Sequence, residues 1–126
     1  MNKDRNPRRG LDPRAEAPVL VREPQLDPIR STYEDDPDML EIVREFAHEL
    51  PDRIARIESL LAAHAFADLQ TLAHQLKGAG GGYGFPIITE QAAALERALK
   101  SGESDAVVKD RAAALCATLR AVKVPD

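Results

Sequence analysis

The strongest constraint on this chain is an apolar stripe that runs from Leu40 to Leu61 without changing phase. Leu40, Val43, Ala47, Leu50, Ile54, Ile57 and Leu61 recur at alternating spacings of three and four, the pattern of one helix face turned to a core. Asp36 followed by Pro37 supplies the start. The aspartate acts as N-cap, and the proline occupies the first helical position, where its missing N–H costs nothing. Pro51 lies inside the stripe. It removes the hydrogen bond to the carbonyl of Ala47, which favours a bend, but the unshifted stripe on both sides predicts one helix to about His64.

Further helical segments follow. Ala65, Leu69, Leu72, Leu76, Ala79 and Tyr83 form the core stripe of a second helix, with a glycine run at its end that leaves its last turn open. Phe85 and Pro86 restart the chain, and Ile87, Ile88, Gln91, Ala92, Leu95, Ala98 and Leu99 carry a third stripe that ends near Gly102. Ser104 is placed to cap a last helix that buries Val107 or Val108, Ala112, Leu115, Leu119 and Val122, with Cys116 as a small core or boundary residue. Short connections near Ala65, Phe85 and Gly102 favour antiparallel neighbours, so the expected fold is all-α, an up-and-down antiparallel four-helix bundle. Phe85 should sit at the turn of the second and third helices. The 126 residues suffice for one domain, and with no Trp and few other aromatics its core must be aliphatic.

Upstream, Pro7, Pro13, Pro18 and Pro24 stand among charges of both signs, the composition of a disordered arm. The expected organisation is an arm over 1–26, a bundle over 27–123 and a short tail over 124–126. Leu26, Ile29 and Tyr33 suit a short helix or turn that covers one end of the bundle.

Charge and cysteine content exclude several classes. A formal charge of −4 and the lack of interleaved basic and aromatic residues argue against nucleic acid as a partner. Cys116 is the only cysteine, so no internal disulfide forms, and no apolar run is long enough for a membrane span. Arg8 and Arg9 are followed by Gly10, Leu11, Asp12 and Pro13, where a twin-arginine signal would need an apolar segment. The expectation is a cytoplasmic protein, monomeric because its apolar stripes are all used internally.

The chemistry concentrates at Ala73 to Gly84, AHQLKGAGGGYG. In helical projection His74 points away from the core stripe, among Ala67, Gln70, Thr71, Lys77, Gly78 and Gly81, which are small, polar or cationic. Glycine costs roughly 1 kcal/mol against alanine in a helix interior. Glycines one and two turns beyond His74 therefore call for a reason, and close approach by another molecule supplies one. An unperturbed imidazole, with a pKa of about 6.5, often has a free nitrogen lone pair at neutral pH. It can accept a phosphoryl group, and Lys77 one turn along can offset the roughly two negative charges that such a group brings.

His74, Leu76, Lys77, Gly78, Ala79 and Gly84 follow a His-x-Leu-Lys-Gly-small pattern with a further glycine ending the turn. In this the chain resembles the histidine phosphotransfer (HPt) domains of multistep two-component phosphorelays, over about residues 27 to 123. The resemblance implies that His74 is the phosphoacceptor and Lys77 the supporting cation. It implies a phosphocarrier without a cofactor of its own, partnered by a response-regulator receiver domain or a hybrid histidine kinase. By the same resemblance the receiver would bring the Mg²⁺ and the acidic residues, and the lack of a carboxylate cluster beside His74 in the sequence fits this. Gln70, Thr71, Gln75, Lys77, Gly78, Gly81 and Gly82 are the expected contact surface.

Other chemistries fit less well. His48 and His64 would lie about 24 Å apart on one helix at 1.5 Å per residue, which leaves no metal site. In a P-loop the lysine follows the glycines and a strand precedes them, whereas here Lys77 comes first on a helix. A hydrolase or transferase with His74 as general base would need an orienting carboxylate and a substrate pocket, and neither is visible. A phosphate-independent helical module that binds a signalling partner stays open beside the carrier.

Overall fold

The computed structural model describes residues 27–125. The disordered arm expected over 1–26 lies outside them, Leu26 included. Four helices follow in order: α1 (Pro37–Ala62), α2 (Phe66–Gly82), α3 (Pro86–Lys100) and α4 (Asp105–Ala121). Each helix packs on its chain neighbours and α4 closes the ring on α1, which with connections over 63–65, 83–85 and 101–104 gives the expected four-helix bundle.

Local chemistry sets the helix ends. Asp36 Oδ1 accepts from the Asp38 N–H at 2.9 Å, so the Asp-Pro start works as read. α1 continues through Pro51 as one helix and stops at Ala62, which leaves His64 in the following loop at φ 53°. Ser104 Oγ caps α4 by accepting from the Val107 N–H at 3.3 Å. Gly84 at φ 84° makes the turn between α2 and α3, a left-handed conformation that a side chain disfavours. Phe85 follows it into the core, fully buried.

The stripes are broader and slightly rotated relative to expectation. In α1, Phe46 and Leu60 are buried with Val43, Ala47, Leu50, Ile54 and Ile57, while Leu40 and Leu61 are half-buried. Phe46 stacks on Tyr83 with centroids 4.5 Å apart, so its bulk closes the α1–α2 seam. In α2 the buried residues are Leu69, Ala73, Leu76 and Gly80; Leu72 and Ala79 are half-buried. The face is turned toward its smallest residues because α3 lies close there. A Cβ on Gly80 would stand 2.7 Å from both N and Oγ1 of Thr89 and 3.0 Å from Cβ of Ile88. Of the two valines offered to the core of α4, Val108 is buried and Val107 half-buried; Cys116 is buried among them.

The segment before α1 does not form the short helix that was one of its two expected forms. Ile29 pairs in parallel with Val122: its N–H donates to the Ala121 carbonyl and its carbonyl accepts from the Lys123 N–H, both at 2.8 Å. An extended strand end uses both backbone groups in this way, and a helix would not. A turn over 32–35 follows. Ser31, buried, donates from Oγ to the Tyr83 carbonyl at 2.7 Å, so the segment does cover the α2–α3 end of the bundle.

Candidate functional site: a histidine held by a buried glutamate

His74 projects from the middle of α2 with two-thirds of its side chain exposed. The helix presents it as the sequence predicts, because Ala73 and Leu76 on either side take the buried positions. Gln70 and Lys77 are half-buried around it, and Thr71, Gln75, Gly78, Gly81 and Gly82 are exposed. All lie on the solvent side of α2. Gly78 and Gly82 have nothing within 4 Å of where a Cβ would be. Their lack of a side chain therefore leaves the ground beside His74 low rather than making room for a neighbouring helix.

The glycines thus divide. Gly80 serves the fold by admitting α3, and Gly78, Gly81 and Gly82 face outward. Thr89 of α3 exploits the close approach by donating its hydroxyl to the Lys77 carbonyl at 2.7 Å. This bond fixes the backbone of α2 one turn from His74, inside a stretch whose glycine content would otherwise weaken it.

One residue at the site escapes the sequence reading. Glu96, on α3, is buried at 5% side-chain exposure, and its Oε2 lies 2.8 Å from Nδ1 of His74. Its Oε1 meets Lys77 Nζ at 2.6 Å, and Lys100 Nζ stands 3.3 Å from Oε2. These partners hold the Glu96 carboxyl at about 2, well below the ordinary 4.5, with the Lys77 bond as the largest cause, the His74 bond next, and burial opposing them. The orienting carboxylate that the sequence leaves invisible is present and comes from another helix. Its signal in the sequence is position, since Glu96 continues the buried row of Ile88 and Ala92 at intervals of four.

The ionised carboxylate has no proton to give, so it can only accept. Nδ1 of His74 must then carry the hydrogen, and the lone pair of the neutral ring belongs to Nε2, on the edge of the ring away from Glu96. The arrangement offers a nucleophilic nitrogen to solvent and fixes which nitrogen it is.

The donor set does not suit a metal. Glu96 is already engaged by two ammonium groups and an imidazole N–H. Among the described residues no group of three or more His, Cys, Asp and Glu side chains could hold an ion. His48 is exposed on α1; His64 stacks on Phe66 with centroids 5.3 Å apart and has Nδ1 3.7 Å from Asp105 Oδ2. Among the described residues no helix is long and apolar enough to cross a membrane.

No curated protein and no solved structure matches the chain significantly. A family model described as the Hpt domain matches residues 41–123, which takes in most of α1, all of α2 and α3 with His74, Lys77 and Glu96, and α4. The chain therefore belongs to the Hpt domain family, whose members carry phosphoryl groups between receiver domains and kinases in two-component signalling rather than acting as enzymes.

Proposed function

We propose that His74 accepts a phosphoryl group from the aspartyl phosphate of a receiver domain, or from a hybrid histidine kinase, and passes it to a second receiver. The observation that carries this reading is the bond from His74 Nδ1 to Glu96 on an otherwise exposed ring. In the transfer, the Nε2 lone pair attacks phosphorus in line, the N–P bond forms, and the P–O bond to the aspartate breaks with its electron pair left on the carboxylate. The ring becomes cationic, with its hydrogen still on Nδ1 and directed at Glu96, whose negative charge favours that state. In the reverse direction a receiver carboxylate attacks phosphorus and the ring leaves as neutral imidazole.

Such a transfer depends mainly on positioning and charge neutralisation. Lys77 adds positive charge beside the acceptor from its place on Glu96. The Mg²⁺ that usually assists comes with the receiver in this reading, in keeping with a donor set here that is cationic on its outer side. Gln70, Thr71, Gln75, Gly78, Gly81 and Gly82 form the ground on which the receiver rests, in a cytoplasmic setting where both proteins meet. The low profile of the outward glycines lets the partner's acidic pocket descend onto the ring.

The test is transfer of label from a phosphorylated receiver domain to the whole chain, with His74→Gln as control. The expected label is acid-labile, alkali-stable and absent from the variant. Binding of receivers to both proteins with no label on either would replace the carrier by a phosphate-independent interaction module.

A further inference from the structure

Two ammonium groups, not one, are tethered beside His74, and Glu96 holds them differently. Lys77 Nζ meets Oε1 at 2.6 Å with its side chain 36% exposed, whereas Lys100 Nζ stands 3.3 Å from Oε2 and is 56% exposed. Oε2 also takes the Nδ1–H of His74 at 2.8 Å. If Lys77 left, the ion pair to Oε1 of a buried carboxylate would be lost, which is costly. If Lys100 left, Oε2 would keep His74. The longer, more exposed and doubly covered contact is the one that can be given up.

We infer that Lys100, the last residue of α3, is the cation that swings onto the phosphoryl group of phosphorylated His74, while Lys77 stays on Glu96 as a positioning residue. This rests on the reading of His74 as acceptor. Lys100 starts one carboxylate oxygen away from the ring, on a flexible four-carbon stem with three donors. The arriving dianion offers it a stronger attraction than the shared Oε2 does. No bond is made or broken in this step beyond the exchange of one ion pair for another.

A structural role for Lys100 has to be separated from this one. It ends a helix, where a cation favours the dipole, and it pairs with Glu96 at i,i+4. Both would affect stability alone. Contact with the phosphoryl group instead lowers the pH at which that group loses its last proton and becomes a dianion.

The experiment uses the whole chain phosphorylated by phosphoramidate, whose N–P bond breaks as the bond to His74 Nε2 forms and ammonia leaves. The ³¹P signal is titrated in the wild type, Lys100→Gln, Lys100→Arg and Lys77→Gln. Loss of Lys100 should raise the phosphoryl titration by about half a unit to one unit at low salt, with Lys100→Arg restoring it and high salt shrinking the difference. Lys77→Gln should instead disturb the ring, seen as a changed ¹⁵N pattern of unphosphorylated His74. An unchanged ³¹P titration in Lys100→Gln, with His74 labelled, overturns the role of Lys100 and leaves the acceptor reading intact. No label on His74 in the wild type overturns the acceptor reading and this one with it.

Discussion

Nδ1 of His74 lies 2.8 Å from Oε2 of Glu96, although the first side chain is 66% exposed and the second 5%. A surface histidine is thereby tied to the interior by its inner nitrogen while its outer nitrogen stays free. The bond crosses from α2 to α3, so the orientation of the ring depends on how closely those helices pack and not on α2 alone.

Replacing the carboxylate by an amide tests that tie. In Glu96→Gln the side chain keeps its shape but can present either a carbonyl oxygen or an NH₂ to Nδ1. The Nδ1–H form should lose its dominance in ¹⁵N spectra of the imidazole. Transfer to His74 should slow by roughly tenfold, a loss on the order of one charge-assisted hydrogen bond. Wild-type transfer with an unchanged ring tautomer would show that Glu96 does not set the ring of His74.

The same carboxylate makes stability depend on acid. Its folded value of about 2 lies below the ordinary 4.5, so the folded state binds fewer protons there than the unfolded chain. The contribution of Glu96 is fully present above about pH 5 and is lost as the pH falls towards about 2. Thermal melts of the wild type and Glu96→Gln across that window should show the advantage of the wild type shrinking with acid. A constant gap between the two would show that Glu96 does not titrate with folding.

The paired glycines give opposite predictions. Gly80→Ala forces a Cβ to within 2.7 Å of the Thr89 backbone nitrogen, and overpacking of this kind costs about 1–3 kcal/mol. Gly78→Ala meets nothing within 4 Å and should stabilise α2 by up to about 1 kcal/mol through helix propensity. Urea denaturation of both variants checks the signs. A receiver that rests on Gly78 should also transfer more slowly to the more stable variant, and more slowly still to one with a bulky residue at Gly81.

What could be read without the fold follows from range. Asp36 and Ser104 act on N–H groups two and three residues away, and His74 and Lys77 share one turn, so local sequence exposes them. Glu96 is 22 residues from His74. In sequence it resembles any helix glutamate paired with a lysine four residues on, here Lys100. Only the register of α3 on α2, set by Gly80 against Thr89 and Ile88, brings it under the ring. The rotation of the α2 stripe has the same origin: spacing shows which residues are apolar, whereas the closeness of α3 decides that Ala73 and Gly80 are buried ahead of Leu72, which still packs against the core.

The segment before α1 yields the last prediction, since the family match begins at residue 41 but the packing begins earlier. Ile29 exchanges two backbone bonds with the end of α4, and Thr32 donates its N–H to the Gly84 carbonyl at 2.9 Å. Ser31 adds a buried hydroxyl bond to Tyr83. At about 0.5–1.5 kcal/mol for each of these four bonds, a chain beginning at Asp36 should lose roughly 2–6 kcal/mol of stability even though every helix is retained. The loss should appear as faster amide exchange at both places the segment touches, the last turn of α4 and the Tyr83–Gly84 turn. Because that turn ends the helix that carries His74, the shortened chain should also hold the ring less firmly against Glu96. Denaturation midpoints equal to those of the full chain would place the domain boundary at α1 instead of residue 27.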